Sequence, residues 1–458
     1  MPGAAGSIAA ALLTGQRGGI PKPVEADLRT AGLAHLLAIS GLHVGLVAAA
    51  LFFTVRLGLA CSEALAVRLP LKAIAAVAAW AGAGGYVLLA GAPIPSQRAF
   101  IMVSLSLAAL MLGRRPFSLR LVAAAALGIL LIRPDALVSA GFQMSFAAAI
   151  ALTAAYEALS PWLARWRGDA GAGRRIALFF FGVVMSTLIA EIAIAPFAAY
   201  HFQRFGLYGP AANLVAVPVM SLWIMPWGLA ALMLMPLGME GLALAPMGWG
   251  IELVLATAKT VASWPGAEWP LRAFPAPALL CFAGAGLMLT LSHGRILKLL
   301  APGVALAGLI LAARSSPPHL IVDGVEERVG LLAEGRLWTH GRGGRFEIER
   351  WQRRLGLPDQ RRPGALADAP GVTCDPLGCH ILIDDRRIAL AFSAEAVAED
   401  CATADMVIAI TPVPDGCRAP HRLDRFDFLD GGPHSLNLHS GEIRSTAQAR
   451  GRRPWVPR

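Results

Sequence analysis

The residues that could carry chemistry are polar side chains set inside long apolar runs. Ser40 and His43 are three residues apart within the apolar stretch Leu36–Phe53. On a helix this spacing places both on one face, where a hydroxyl beside an imidazole could act as a nucleophile and its base. No acid at useful spacing orients the imidazole, as a catalytic triad requires. We therefore predict helix packing or a water-filled lumen, with catalysis as the alternative, and assign no catalytic residue.

A second cluster of polar side chains interrupts another apolar segment. Gln143 and Ser145 lie within Ser139–Phe146, where Phe142 and Phe146 are one helical turn apart. Aromatic pairs at this spacing usually pack against each other, whereas exposed rings could stack on the bases of a nucleic acid. Packing is the more common explanation. The two polar residues are candidates for contact with water or a ligand.

A third cluster begins with Glu191, the only acid near the middle of its apolar segment. It is followed by the aromatic-rich stretch Tyr200–Tyr208, which contains His201 and Arg204, and then by Asn213. An aromatic belt at the membrane interface explains such a stretch without any function, while rings interleaved with basic residues would also suit a nucleic-acid strand. A carboxylate repels phosphate, so we expect Glu191 to be protonated or to pair with a cation such as Arg204.

Gln97 and Arg98 form a fourth group, directly after the proline-rich turn Gly91–Pro95. The prolines fix this turn, and an arginine at this position also serves as an interfacial anchor. A polar group at bilayer depth is costly unless it faces water or a partner, which makes all four groups functional candidates. The candidate residues of a polar path are Ser40, His43, Gln97, Arg98, Gln143, Ser145, Glu191, His201, Arg204 and Asn213.

The elements that must position these residues are membrane helices. Of the 458 residues, 56% are hydrophobic and 15% are charged, whereas an ordinary soluble protein has about 45–50% and about 25%. This balance excludes a water-soluble globular protein, and several apolar runs reach the roughly 20 residues that span a bilayer. Met1–Arg29 lacks the pattern of a cleavable signal. About ten hydrophobic segments are predicted, at 34–54, 73–91, 99–113, 120–132, 136–158, 176–199, 208–235, 240–263, 276–292 and 298–313.

The basic residues predict how these segments are oriented. The chain carries a net charge of +10, and the tail after Pro318 has 19 basic and 20 acidic residues, so the excess lies in the apolar part. Lys and Arg on cytoplasmic loops explain this excess without a nucleic-acid ligand. If all ten segments cross, both termini face the periplasm, whereas a re-entrant, proline-broken segment would reverse the tail. The basic loops assigned to the cytoplasm contain Arg56, Arg68, Lys72, Arg114, Arg115, Arg120, Arg165, Arg167, Arg174, Arg175, Arg295 and Lys298.

After Pro318 the chain changes to short β-like runs separated by Gly, Pro, Asp and Arg. This pattern predicts a separate soluble α+β domain of roughly 140 residues. Four of the six cysteines lie there, and their even number predicts two disulfides in an oxidising periplasm. We pair Cys374 with Cys379 and Cys401 with Cys417. Free thiols and a metal site are the alternatives, since His380 follows Cys379 directly, although the spacing is not that of a common zinc knuckle.

Four motifs in this order resemble the ComEC-type competence family. They are His35–His43, Pro95–Ala99, Ser139–Phe146 and Tyr200–Gly209. The resemblance covers roughly residues 7–313 and implies a polytopic inner-membrane channel that passes one strand of incoming DNA to the cytoplasm. The implied partners are single-stranded DNA, membrane lipids, a DNA receptor, a cytoplasmic translocase and further copies of the chain. No cofactor is implied.

The chain departs from this family at both ends. Members usually begin with a membrane anchor and a small β-barrel domain, which this sequence lacks, so we expect a fragment, a late start site or a reduced member. They commonly end in a metallo-β-lactamase-like domain with a His-x-His-x-Asp-His cluster, whereas His434 and His439 are the nearest pairing here. We therefore predict a degenerate domain of this type, without metal and without nuclease activity. The sequences Cys374–Cys379 and Arg453–Arg458 resemble metal-free endings of some proteobacterial members.

Together these features predict a polytopic α-helical membrane protein followed by a small soluble α+β domain. The expected divisions are a periplasmic N-terminal segment at 1–33, a multi-span channel domain at 34–313 and the C-terminal domain at 318–458. The expected function is uptake of single-stranded DNA in natural transformation. One alternative is a small-molecule or lipid transporter, although the inverted repeats typical of such proteins are not evident. The other is a membrane-embedded hydrolase that uses Ser40 and His43.

Overall fold

The computed structural model describes residues 1–167, 171–341, 344–358, 363–383, 386–438 and 441–451. The chain divides into two units. The membrane unit comprises Met1–His201, Phe205–Trp269 and Leu279–Gly308, and the C-terminal unit comprises Phe202–Arg204, Pro270–Ala278 and Leu309–Arg458. The predicted fold class, a polytopic helical membrane part followed by a small α+β domain, is confirmed.

Apolar helices form the membrane part because a helix satisfies its backbone hydrogen bonds internally while its side chains face lipid. These helices are α1 (Gly3–Thr14), α2 (Lys22–Thr30), α3 (Gly41–Ala60), α4 (Glu63–Arg68), α5 (Leu71–Leu89), α6 (Ile94–Met111), α7 (Leu119–Ile132), α8 (Ala140–Arg167), α9 (Ala172–Phe202), α10 (Gly209–Val219), α11 (Met225–Leu234), α12 (Gly241–Ala262), α13 (Ala276–Leu291) and α14 (Arg295–Ala313). Within the described residues, eight segments are long and apolar enough to cross a membrane. Each overlaps one of the ten predicted segments, and the other two predicted segments are the shorter helices α7 and α13.

The first span begins later than the predicted residue 34. Ala34–Leu37 forms a 3-10 turn and Ala38 is extended, so that α3 starts at Gly41 with Ser40 as its N-cap residue. The hydrophobic pattern runs through this boundary because Leu36 is buried although it precedes the helix. Apolar composition therefore marks the buried stretch correctly but not the start of the helix.

The predicted segment 208–235 is one continuous helical span despite its prolines. A π-helical turn at Met220–Ile224 connects α10 to α11, and the apolar helical segment extends over Gly209–Leu237. Proline removes one backbone donor and clashes with the preceding turn. A wider π turn accommodates both effects without ending the helix.

The N-terminal residues belong to the core of the membrane unit. Ile8 and Leu12 of α1 are buried in one cluster with residues of α10 to α12, and Tyr86 of α5 donates a hydrogen bond to the Leu12 carbonyl at 2.7 Å. The helix ends at Gly15, whose φ of 76° favours glycine and whose Cβ would overlap the Ala90 carbonyl. Helix α1 was not predicted because its twelve residues are too few to span a bilayer. The periplasmic location of residues 1–33 stays a prediction.

Two short strands lie within the helical part of the chain, and the other described strands lie in the C-terminal unit. In chain order they are β1 (Arg204–Gly206), β2 (Glu268–Pro270), β3 (Leu320–Asp323), β4 (Arg328–Ala333), β5 (Arg336–His340), β6 (Gly364–Ala365), β7 (Val372–Cys374), β8 (Gly378–Ile383), β9 (Arg386–Ala391), β10 (Met406–Ala409), β11 (His421–Leu423), β12 (His434–Asn437) and β13 (Glu442–Ser445). The sheets have the orders β1-β2, β13-β12-β3-β4-β5-β6 and β11-β10-β9-β8-β7. The accompanying helices are α15 (Arg345–Arg354), α16 (Ala394–Thr403), α17 (Arg425–Gly431) and α18 (Thr446–Arg450).

The two larger sheets pack face to face. Val322 of β3 and Ile408 of β10 lie in one shared core. Successive strand residues point to opposite faces, so Val407 packs against α16 while Ile321 packs with Leu355 at the end of α15. The described part of this unit is therefore layered as helix, sheet, sheet and helix.

Candidate functional site

Eight of the ten polar residues singled out in the sequence lie at or near the ends of helices of the membrane unit. Successive spans joined by short connections run in opposite directions. The starts of α3, α6, α8 and α10 and the ends of α5, α7 and α9 therefore lie on the same side. The candidates at these ends are Ser40 and His43, Gln97 and Arg98, Gln143 and Ser145, His201, and Asn213.

Ser40 and His43 form a capping box at the start of α3. The Ser40 N–H donates to His43 Nδ1 at 3.1 Å, and the Ser40 hydroxyl lies 3.0 Å from the same atom. Nδ1 is thus an acceptor, which places the ring proton on Nε2. His43 has no exposed surface, and within the described residues Nε2 has no hydrogen-bond partner. The predicted neighbours do meet, but Ser40 precedes the helix instead of lying on its lateral face, and their hydrogen bonds cap it.

Gln143 connects the start of α8 to the end of α9. The His201 Nε2–H donates to Gln143 Oε1 at 2.8 Å, and Gln143 Nε2 donates to the Leu137 carbonyl at 3.0 Å. Ser145, two residues further along α8, is half-buried. Sequence spacing could not have paired Gln143 with His201, because 58 residues separate them.

Phe142 and Phe146 are packing residues. Their ring centroids are 4.4 Å apart, and both rings are buried in a cluster with Ala125 and Ile129 of α7. Rings covered in this way cannot stack on the bases of a passing strand. Of the two interpretations of this pair, the structure supports packing.

Arg98 is buried rather than anchored at an exposed interface. It lies in the first turn of α6 with 8% of its surface exposed. Its guanidinium lies against Gly141 near the start of α8, since a Cβ on Gly141 would be 3.1 Å from Nη2. The neighbouring Gln97 Nε2 donates to the Ala92 carbonyl at 2.6 Å and closes the proline-rich turn.

Glu191 lies in α9 against the first residue of α10. A Cβ on Gly209 would overlap Glu191 Oε1, and a Cβ on Gly32 would be 3.0 Å from the Cα of Gly209. Asn213, one turn further along α10, is 5% exposed, and its Oδ1 has no hydrogen-bond partner among the described residues. Sequence reasoning found Glu191 but missed the two glycines, although Gly209 closes one of the four motifs.

Arg204 lies in β1, in the segment Phe202–Arg204 that groups with the C-terminal unit. Its expected pairing with Glu191 stays a prediction. The membrane unit also contains a small cavity with apolar lining, which includes Ile8, Leu28 and Met220. Because a cavity of this kind offers no hydrogen bonds to phosphate, it is not a route for a nucleic acid.

The cysteines of the C-terminal unit form two disulfides. They join Cys374 to Cys379 across β7 and β8, and Cys401 of α16 to Cys417. These are the pairs named from the sequence, and their redox state in the cell stays a prediction.

The histidines of the C-terminal unit are dispersed. Among the described residues no group of three metal-ligating side chains occurs. His380 Nε2 lies 2.7 Å from Asp400 Oδ1, whereas His434 is buried in β12 beside the ring of Phe428. His439 and the closing sequence Arg453–Arg458 lie outside the described residues.

Comparison with known proteins gives one family match and several related proteins. The sequence model of a family described as "Competence protein" matches residues 12–295. Over 230 residues the chain is 29% identical to "ComE operon protein 3" of Bacillus subtilis (strain 168). This alignment covers 49% of this chain and 26% of that protein. Over 284 residues it is 30% identical to "Competence protein ComA" of Neisseria gonorrhoeae. This alignment covers 62% of this chain and 38% of that protein.

A further relative is "Uncharacterized protein YcaI" of Escherichia coli (strain K12), which is 25% identical over 221 residues, 48% of this chain and 28% of that protein. The chain thus aligns with only about a quarter to two fifths of the length of these relatives. No solved structure matches the chain.

Proposed function

Because the chain belongs to the competence protein family, we propose that its membrane unit forms a channel for single-stranded DNA in natural transformation. Two of its relatives carry names that refer to competence or to a ComE operon. The chain itself is a multi-pass membrane protein. We place it in the bacterial inner membrane, where incoming DNA has to cross.

The observation that supports this proposal is the contact between three of the four polar motifs. The 2.8 Å hydrogen bond between His201 and Gln143 joins two of these motifs, and the contact of Arg98 with Gly141 joins a third to them. A polar side chain persists at membrane depth mainly where it meets water or a partner. Phosphates cannot enter hydrocarbon, so a strand must travel along such polar groups.

The proposed channel includes more than one protein. The spans α8 and α9 carry Gln143, His201 and Glu191, yet only 6% of the apolar window of each span is buried. A second copy of the chain placed against these helices would cover them and close a polar path. A DNA receptor would deliver the strand, and a cytoplasmic translocase would supply the driving force.

We propose a periplasmic, non-enzymatic role for the C-terminal unit. Two stacked sheets flanked by helices are compatible with a degenerate metallo-β-lactamase-like domain. A dinuclear nuclease requires several converging His and Asp ligands, and the dispersed histidines of the described residues support no such site. Full-length protein that degraded DNA with added zinc or manganese would contradict this assignment.

The channel proposal is tested by uptake of labelled DNA into the cytoplasm of cells that express variants at matched membrane levels. Gln143→Ala and His201→Ala should each reduce uptake several-fold, because each removes one partner of the contact between α8 and α9. Ser186→Ala is the matched control, since the Ser186 hydroxyl donates to two carbonyls of its own helix, at 2.7 and 3.0 Å. Normal uptake by both polar variants would leave these residues as packing contacts.

A further inference from the structure

Arg98 is a buried cation without a counter-charge among the described residues. Only 8% of its surface is exposed. Its Nε has no hydrogen-bond partner, and no carboxylate of the described residues pairs with its guanidinium. A buried charge of this kind is strongly unfavourable unless a partner compensates it. An anion from outside the described chain would compensate this charge.

The guanidinium lies over the start of α8. A Cβ on Gly141, the second residue of this helix, would be 3.1 Å from Nη2 and 3.2 Å from Nη1. The Ser139 hydroxyl accepts the N–H of Phe142 at 3.3 Å, whereas the N–H groups of Ala140 and Gly141 have no acceptor within the helix. Free N–H groups and the helix dipole make this end positive. Two positive groups this close repel each other, and an anion bound to both would turn this repulsion into attraction.

We propose that Arg98 and the N-terminus of α8 together bind a phosphodiester group of single-stranded DNA. A guanidinium holds two phosphate oxygens in parallel, and backbone N–H groups at a helix start are a common phosphate site. This inference rests on the proposed function and names the chemistry of one contact along the DNA path.

A DNA phosphate fits this position better than a lipid phosphate. Arg98 is enclosed by protein, whereas the phosphate of a membrane lipid stays at the outer surface of the helices. A contact with phosphate also carries no sequence information, which is what a path for strands of any sequence requires. The small Gly141 leaves the guanidinium room to lie directly on the helix start.

The first test measures binding of a fluorescent single-stranded oligonucleotide to the full-length protein in nanodiscs at increasing salt. Each phosphate contact contributes about 0.7 to the slope of log affinity against log salt for a single strand. Arg98→Gln should therefore lower the magnitude of this slope by about 0.7 and weaken binding at low salt. The matched control is Arg133→Gln, which removes the same charge just before α8 from an exposed arginine that already pairs with Asp135 at 3.0 Å. Its slope should equal that of the wild type.

A second variant keeps every charge. Gly141→Ala places a methyl group 3.1 Å from Nη2, which displaces the guanidinium from the helix start, so DNA affinity should fall several-fold in a protein of unchanged net charge. This variant decides the question if Arg98→Gln fails to fold. Equal affinity of Gly141→Ala and the wild type, or equal salt slopes of Arg98→Gln and the wild type, would overturn the proposal.

Inorganic phosphate tests the anion site at Arg98 independently of the proposed DNA channel. Phosphate should raise the unfolding temperature of the wild type above that in chloride of equal ionic strength, and Arg98→Gln should lose this increase. If phosphate acts through Arg98 but the wild type binds no single-stranded DNA, the DNA ligand is rejected together with the channel. If Arg98→Gln instead loses a co-purified phospholipid in mass spectrometry while it keeps its DNA salt slope, the ligand is a lipid and the proposal fails.

Discussion

Gly209 begins α10 at a point where two other segments approach it closely. A Cβ on this residue would overlap Glu191 Oε1, and Gly32 lies against its Cα. The Glu191 carboxylate consequently lies at a helix start, where the dipole favours negative charge. This contact gives Glu191 a role in joining α9 to α10 that does not depend on Arg204.

Gly209→Ala should destabilise the protein by about 1–3 kcal/mol, as overpacking of a tight contact does, and should lower DNA uptake. Thermal unfolding in detergent measures the first effect and transformation frequency the second. Gly45→Ala is the control, because a Cβ there would meet no atom within 4 Å. Equal unfolding temperatures of the two variants would show that Gly209 is not a close contact.

His434 should make stability depend on pH. Burial lowers the pKa of this histidine, although the Gly432 backbone and the charge of Asp427 act in the opposite direction. The folded protein then keeps the ring neutral at a pH where the unfolded chain, with a pKa of about 6.5, takes up a proton. Stability from this residue is complete above about pH 6.5 and is lost as the pH falls towards the lowered pKa.

The measurement is the unfolding temperature of the full-length protein at pH 7.5, 6.5 and 5.5. His434→Leu should flatten the decrease at low pH, whereas His421→Leu, at an exposed position, should leave it unchanged. An identical pH dependence of the wild type and His434→Leu would contradict this prediction.

At the scale of elements, the start of α3 depends on a cap rather than on apolar residues. Ser40→Ala should cost about 0.5–2 kcal/mol, because it removes the N-cap hydroxyl that lies 3.0 Å from His43 Nδ1. Ser62 precedes α4 but makes no side-chain cap hydrogen bond, so Ser62→Ala should be neutral. Denaturant unfolding of both variants measures the difference. A neutral Ser40→Ala would show that the serine is kept for another purpose, such as the hydrolase chemistry considered from its sequence.

At the scale of the whole molecule, the basic loops predict orientation. Arg114 and Arg115 are exposed between α6 and α7, and Arg174 and Arg175 are exposed in the first turn of α9. The sequence assigns these residues to the cytoplasmic side. Alkaline phosphatase fused after Arg458 should therefore be active, and the same enzyme inserted at Arg114 should be inactive. Fluorescence from green fluorescent protein fused to the C-terminus would instead place the tail in the cytoplasm. Disulfides would be unexpected in that compartment.

Composition and periodicity by themselves determined the fold class of this chain and nearly all of its spans. Long apolar runs can only be helices in lipid, because every backbone group must be satisfied within the segment. The β-like runs after Pro318 lie on strands, and their alternating side chains, such as Val407 and Ile408, face two different layers. The four motifs were also visible in the sequence, because polar residues stand out against an apolar background.

Only the tertiary structure decided which of these residues meet. The contacts of Gln143 with His201, of Arg98 with Gly141 and of Glu191 with Gly209 join residues that are distant in sequence. Their pairing depends on how helices pack, and a pattern along the chain carries no information about the partner across a helix interface. The same is true of α1, whose twelve residues are too few to span a bilayer and became part of the core by packing against α12.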